Sequence, residues 1–282
     1  MMGDPDGRRA DLHIHTLASD GADSVVEVLE EARRIGLAAV SITDHDSVAA
    51  VAEAVSLGPD YGVEVVPGIE ISVELEDVEM HLLGYFIDYR DHELNARLAY
   101  LRNIRSRRAD QMLSKLEAMG FTLDMEALLP GQMSGSIGRL HIAQALTRAG
   151  YVGSPAEAFS RYIGNSGPAY VPKLKIGMEE AMRMILRAGG VPVLAHPGQL
   201  GRDELIPELV ELGLGGLEAY YPSHSRFAVN HYEELARHYG LLATGGSDSH
   251  GLNKENVHIG SAAAPYSVVA ELRERSADPE RG

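Results

Sequence analysis

The sequence contains no cysteine and no tryptophan among its 282 residues. The missing thiols exclude disulfide bonds and thiolate metal sites, so any metal must be held by imidazole and carboxylate groups. Aromatic residues make up only 6% of the chain and hydrophobic residues 45%, which predicts a core of Ala, Val, Leu and Ile. This length and composition predict one large α/β domain, or one such domain carrying an insertion.

Long apolar runs and an excess of basic residues are missing as well. No stretch approaches the roughly 20 apolar residues that cross a bilayer, and the N-terminal residues lack the apolar core of a signal peptide. We therefore expect a cytoplasmic protein without a membrane partner. The formal net charge of −16 argues against duplex DNA as a partner, because such binding needs many Lys and Arg contacts. The negative net charge does not exclude a small phosphorylated substrate.

Strand and helix patterns alternate along the first ninety or so residues and again after residue 173. Between them, residues 98–172 show helical periodicity broken by Gly, Ser and Pro. We therefore predict a β/α barrel of about seven strands from residues 1–97 and 173–282, interrupted by a helical insertion or cap at 98–172. The helix that begins near Ser47 is expected to end at Gly58 and Pro59.

Polar side chains recur where the predicted strands end. They are His13, His15, Asp20, Asp44, His45, Glu70, His81, His196, His224, Asp248 and His250. The carboxyl ends of barrel strands converge, so we expect these groups to share one site. Imidazole and carboxylate ligands suit Zn, Mn or Fe, and the set is too large for one ion. Two or three divalent ions are therefore expected.

Several motifs resemble, in order and spacing, those of the PHP (polymerase and histidinol phosphatase) superfamily. They are "DLHIHTLASDG", "SITDHD", "PGIEIS", "HLLGYFID", "LAHPG" and "GGSDSHG". The segments "GRLHIAQAL" and "YPSHS" further resemble the stand-alone PHP phosphoesterases, which act as 3',5'-nucleoside bisphosphate phosphatases and as 5'-to-3' exonucleases on short RNA. The resemblance implies a distorted (β/α)7 TIM-like barrel with a helical cap.

The resemblance also implies a ligand set. His13, His15, Glu70 and Asp248 would hold one ion. Glu70 would bridge to a second ion held by His81 and His196, and Asp20, His45 and His250 would hold a third. Manganese is the first expectation, with zinc or iron as alternatives, and Asp20 and Glu70 are expected to be catalytic as well.

Phosphate contacts are expected from Arg139 and His224, which the resemblance also implies as catalytic residues. Arg139 lies in the insertion, and its alternative is a solvated helix arginine. Gln199 follows "AHPG" where relatives have a basic residue, so Arg202 is the expected substitute in substrate binding. Asp44 is expected to orient a metal-bound imidazole.

The expected reaction is metal-dependent hydrolysis of the 3'-phosphate of 3',5'-bisphosphonucleosides, giving AMP from adenosine 3',5'-bisphosphate. Short 5'-phosphorylated RNA is a further expected substrate. Two alternatives stay open: a monoester phosphatase of the histidinol-phosphate type, and a non-catalytic PHP module. The ligand set without gaps counts against the second alternative.

Overall fold

Strands and helices alternate in the computed structural model, which describes residues 7–75, 78–128, 138–172, 176–254 and 256–277. The strands are β1 Arg9–Ile14, β2 Ala39–Ile42, β3 Glu64–Leu75, β4 Val78–Tyr85, β5 Val191–Leu194, β6 Gly216–Tyr220, β7 Leu242–Gly245 and β8 Ala264–Pro265. The helices are α1 Val25–Ile35, α2 Val51–Tyr61, α3 His92–Ala118, α4 Met125–Leu128, α5 Arg139–Arg148, α6 Pro155–Ala158, α7 Met178–Arg187, α8 Pro197–Leu200, α9 Ile206–Glu211, α10 Arg226–Tyr239 and α11 Ser267–Ser276.

The strands form one 8-stranded sheet in the order β7-β6-β5-β4-β3-β2-β1-β8. The sheet curls until the end of β1 meets the segment after β7. Ile14 forms a parallel bridge to Ser249, and the amide of His15 donates to the Ser249 carbonyl at 2.9 Å. This nearly closed barrel with helical crossovers confirms the predicted fold class.

Two strands depart from the parallel pattern, and the short β8 is one of them, since it pairs antiparallel with β1. β4 runs antiparallel to both β3 and β5, whereas β1, β2 and β3 are parallel to one another and so are β5, β6 and β7. Only residues 76–77 separate β3 from β4, and a connection that short allows a hairpin but no crossover.

The ends of α1 and α2 show how capping residues set the length of a helix. α1 begins at Ser24, whose side chain forms a capping box with Glu27, and ends at Gly36 in the left-handed conformation. α2 was expected to end at Gly58 and Pro59, and this prediction was wrong. The helix continues to Tyr61, because Gly62 at φ 68° supplies the left-handed cap that ends it.

Two compact units divide the chain. Residues 1–95 and 176–282 form the barrel unit, and residues 96–175 form the helical unit. The barrel core is built from small and branched side chains such as Leu12, Val66, Leu83 and Val193, all fully buried. The helical unit has a core of its own, which includes Met112, Leu116, Ile142 and Leu146. Over the described residues, no helix has both the length and the apolarity that a bilayer crossing requires.

Candidate metal centre

The first strand brings two imidazoles to the barrel end. His13 lies in β1 and His15 just beyond it, and both side chains are completely buried. Their ring centroids are 5.2 Å apart, because residues two apart on an extended chain share a face. Gly246 packs against this strand so closely that a Cβ there would lie 2.3 Å from His13 Cβ. The ligand-bearing part of β1 therefore depends on a residue without a side chain at position 246.

Glu70 lies at the middle of the site and is 1% exposed. Glu70 lies in β3, and two backbone pairings bring imidazoles beside it. His45 forms a parallel bridge to Glu70, and His81 in β4 pairs with Ser72 in β3. Its carboxylate oxygens approach the ring nitrogens of His13 at 3.4 Å, His15 at 3.2 Å, His45 at 3.0 Å, His81 at 2.9 Å and His196 at 3.6 Å. One carboxylate thus connects imidazoles from both halves of the barrel.

Among the described residues, three groups have ligand atoms close enough to hold an ion. They are His15 with Asp20, His45 and His250; His13 with His15 and Asp248; and His45 with Glu70 and His81. His196 Nε2 lies 3.3 Å from His81 Nδ1, next to the third group. The structure therefore brings all the candidate ligands together, although His15 and His45 each belong to two groups.

Buried charge dominates the electrostatics of the site. Burial alone would raise the pKa of Glu70, but the imidazoles of His45, His81 and His13 outweigh it and hold that pKa well below its usual value. Burial lowers the pKa of His45 to about 3 against the pull of Glu70 and Asp20. For His15 burial also acts downward, yet the neighbouring carboxylates of Asp248 and Glu70 raise its pKa to about 10. Positive charge next to these buried carboxylates therefore stabilises their ionised form.

The donor set fits divalent cations. His13 Nε2, both ring nitrogens of His15, His45 Nδ1 and both oxygens of Glu70 are buried and have no hydrogen-bond partner. Leaving so many buried polar atoms unpaired is costly in a folded protein. Nitrogen and oxygen donors without sulfur are the ligands that Mn, Fe and Zn accept. The convergence of these atoms is the observation that favours a centre of more than one ion.

Glu218, which is completely buried in β6, is not among the residues predicted from the sequence. Its Oε1 accepts from His13 Nδ1 at 2.8 Å, and its Oε2 accepts from the backbone amide of His196 at 2.8 Å. A carboxylate that accepts from Nδ1 fixes the tautomer in which Nε2 is free to bind a metal. A charged residue inside the otherwise apolar strand "GLEAY" was the available signal.

Asp44 has a different role from the one expected. It was predicted to orient an imidazole, but its hydrogen bonds go to Thr16 and Ser19. Its Oδ1 accepts from the Thr16 amide at 2.7 Å and the Ser19 hydroxyl at 2.6 Å, and its Oδ2 accepts from the Thr16 hydroxyl at 2.7 Å. Asp44 therefore holds the turn that carries Asp20, and these three hydrogen bonds go to Thr16 and Ser19 rather than to an imidazole.

His224 already uses both ring nitrogens. Nδ1 donates to the Ala219 carbonyl at 2.8 Å, and Nε2 accepts from the Gly198 amide at 3.2 Å. A Cβ at Gly198 would lie 2.5 Å from that Nε2, so the glycine permits the contact. His224 would have to release Gly198 before donating to a phosphate oxygen.

The two arginines remain predictions as phosphate contacts. Arg202 pairs with Glu204 in the barrel unit. Arg139 begins α5 in the helical unit, where it donates to Asn165 Oδ1 at 2.9 Å and lies 5.7 Å from the Phe159 ring centroid.

The model of the PHP domain family matches residues 11–165, more than half of the chain. The chain belongs to the PHP family. The family, the barrel and the imidazole and carboxylate groups at its strand ends make this PHP protein a metal-dependent phosphoesterase.

Curated relatives of this PHP protein carry several activities. A phosphoribosyl 1,2-cyclic phosphate 1,2-diphosphodiesterase from Eggerthella lenta is 35% identical over 256 residues, which cover 89% of this chain and 97% of the relative. A 3',5'-nucleoside bisphosphate phosphatase from Chromobacterium violaceum is 33% identical over 246 residues, which cover 85% of this chain and 86% of the relative. The 5'-3' exoribonuclease Rnm from Escherichia coli is 31% identical over 247 residues, which cover 85% of this chain and 84% of the relative.

Solved structures of similar chains support the same fold for this PHP protein. A chain assigned as a metal-dependent phosphoesterase from Bifidobacterium adolescentis has a TM-score of 0.85 and 31% identity, over 96% of this chain and 97% of that chain. An amidohydrolase from Chromobacterium violaceum with bound sulfate and no metal has a TM-score of 0.77 and 31% identity, over 96% of this chain and 99% of that chain.

Proposed function

We propose that this PHP phosphoesterase hydrolyses phosphate esters on the ribose of small nucleotides, first of all the 3'-phosphate of 3',5'-bisphosphonucleosides. The observation that carries the proposal is the set of buried, unpartnered nitrogen and oxygen atoms around Glu70. The nucleotide assignment is supported by the similarity to the bisphosphate phosphatase of Chromobacterium violaceum. Short 5'-phosphorylated RNA is a further proposed substrate, supported by the similarity to the Rnm exoribonuclease.

The proposed ligands are the residues expected from the sequence. They are His13, His15, Asp20, His45, Glu70, His81, His196, Asp248 and His250. Divalent ions held there, manganese in the first instance and zinc or iron otherwise, would lower the pKa of an attacking water and offset charge on the phosphoryl oxygens. Glu70 would provide a ligand oxygen to two neighbouring groups, because its Oε2 faces His15 and its Oε1 faces His81.

Residues around the ligands have separate proposed roles. Glu218 fixes the ring of His13 and the backbone of His196. Arg139, Arg202 and His224 are proposed phosphate contacts, and Arg139 is expected to contribute to the rate because a guanidinium binds two phosphoryl oxygens at once. For His224 the contact requires a change of partner at Nε2.

A second candidate function is hydrolysis of a cyclic phosphodiester on phosphoribose. The specific observation that favours it is the similarity to the Eggerthella lenta diphosphodiesterase, of which this chain covers 97% at 35% identity. The two candidates share the chemistry of a phosphate ester on a ribose that carries further phosphate. They differ in whether the attacked ester is a monoester or a ring diester.

A substrate panel separates these functions. Metal-loaded full-length protein is incubated with adenosine 3',5'-bisphosphate, phosphoribosyl 1,2-cyclic phosphate, a 5'-phosphorylated oligoribonucleotide and histidinol phosphate, and metal content is measured on the same sample. We expect the highest kcat/KM on the bisphosphate, with AMP and inorganic phosphate as products. Preference for the cyclic ester would replace the first candidate by the second, and preference for histidinol phosphate would refute both.

Variants test the proposed metal ligands and phosphate contacts, and metal removal tests the metal dependence of the reaction. His13→Ala should abolish turnover, and Arg139→Ala should reduce it, whereas His238→Ala, at an exposed position in α10, is the matched control. Full activity after EDTA treatment and desalting would contradict a metal-dependent reaction.

A further inference from the structure

A lysine outside the ligand set contacts the candidate ligand Asp248. Lys254 Nζ lies 2.6 Å from Asp248 Oδ2 and 3.3 Å from both the Asp248 carbonyl oxygen and the Tyr221 hydroxyl. An ammonium group has three N–H donors, and three oxygen acceptors are in reach here. Lys254 is therefore built into the turn that carries Asp248 and His250.

These contacts fix the orientation of the Asp248 carboxylate, with one oxygen on Lys254 and the other towards the imidazoles. Oδ2 accepts from Lys254 and also from the Tyr221 hydroxyl at 2.8 Å. Oδ1 instead lies 3.6 Å from His13 Nε2 and 3.2 Å from His15 Nε2. Tilting the carboxylate out of this orientation would break both bonds and turn the other oxygen away from the imidazoles.

The backbone of the same turn is also held. Asp248 has φ 53°, in the left-handed region that costs a non-glycine residue free energy unless its surroundings stabilise it. Its carbonyl oxygen accepts from Lys254 and from His250 Nδ1, the latter at 3.0 Å. With Nδ1 donating there, Nε2 is the His250 nitrogen that faces Asp20, at 3.5 Å.

We propose that Lys254, together with Tyr221, is a positioning residue for the metal centre, holding this turn so that Asp248 directs one carboxylate oxygen at the imidazoles and His250 presents Nε2. The inference rests on the proposed metal function of these ligands. A competing effect is that the ammonium charge repels divalent ions, which would make its loss tighten binding. The Lys254 side chain is 33% exposed, so solvent screens its charge, and orientation is the larger effect.

The test is a titration of metal-stripped full-length protein with Mn²⁺, followed by isothermal calorimetry and by electron paramagnetic resonance of the bound ion. Lys254→Met should weaken Mn²⁺ binding by about 10-fold or more, the usual range for partners behind a ligand. Tyr221→Phe, which changes no charge, should weaken it in the same direction. The matched control is Lys115→Met in the helical unit, where Nζ donates to the Tyr170 carbonyl, and no change is expected.

The outcomes separate the inference from the function on which it rests. Absence of Mn²⁺ binding by the wild-type protein would overturn the metal centre itself. Normal wild-type binding with unchanged or tighter binding in Lys254→Met would overturn the role of Lys254. Thermal melts of the stripped proteins show whether each variant folds. If Lys254→Met does not fold, Tyr221→Phe decides, and wild-type affinity in that variant would refute the proposal.

Discussion

Replacing Glu218 by glutamine tests how His13 is kept ready to bind a metal. The carboxylate accepts at both oxygens, from His13 Nδ1 and from the His196 amide, each at 2.8 Å. A glutamine amide of the same shape offers one acceptor and one donor, so it can accept from only one of these two donors. Either orientation of the substituted amide has a defined cost.

If the amide nitrogen faces His13, Nδ1 must accept and the proton moves to Nε2, which then cannot bind an ion. If the amide nitrogen faces His196, two donors oppose each other in a fully buried place, at a cost of about 1–3 kcal/mol. Loss of such a partner typically weakens metal binding by about 10- to 100-fold, which corresponds to roughly 1.4–2.8 kcal/mol. We expect Glu218→Gln to fall in this range.

The assay is competitive titration of metal-stripped protein against a fluorescent chelator, with kcat/KM measured at saturating metal. Glu234→Gln, which removes an exposed carboxylate from α10, is the control for the change in charge. Unaltered metal affinity in Glu218→Gln beside an unaltered control would refute the reasoning that Glu218 fixes the His13 tautomer.

Three further substitutions have defined outcomes. Gly246→Ala should displace His13 and lower bound metal per chain, measured by elemental analysis, because the new Cβ would lie 2.3 Å from His13 Cβ. Asp44→Ala should lower the free energy of unfolding by roughly 2 kcal/mol or more in urea denaturation of stripped protein, and should weaken metal binding at the group containing Asp20, because three hydrogen bonds to the preceding turn are lost. Ser24→Ala should cost about 1 kcal/mol of stability by the same measurement and leave kcat/KM unchanged, because it removes only a helix cap.

A control variant or a contradicting outcome tests each of these three predictions. Gly177→Ala adds a methyl group where nothing lies within 4 Å, so it should keep the wild-type metal content. Normal metal content in Gly246→Ala would show that β1 tolerates the displacement. Wild-type metal affinity in Asp44→Ala would show that Asp44 does not position Asp20. A loss of turnover in Ser24→Ala would show that α1 affects the site.

Much of the fold follows from local patterns. The alternation in "DLHIH" predicts a strand with both imidazoles on one face, and the structure places both rings there. Ser24 and Gly36 bound α1 as the start and stop signals require. The antiparallel direction of β4 was also readable, since its connection to β3 is too short for a crossover.

The candidate ligands were also visible from residue types alone. Histidine and carboxylate side chains at successive strand ends are costly to bury without partners, so their recurrence indicates a shared site. Their grouping around Glu70 was not readable in the same way. His15 and His45 each serve two groups, because the barrel brings rings from separate strands to one carboxylate.

The sequence by itself determined the strand periods, the helix caps, the absence of sulfur ligands and the list of side chains available to bind a metal. Only the tertiary structure decided which residues contact those side chains and hold them in position. Glu218 meets His13, and Lys254 meets Tyr221, across long stretches of chain. The physical reason is closure of the barrel: the bridge between Ile14 and Ser249 joins the two ends of the sheet, and no local pattern records which residues then face each other.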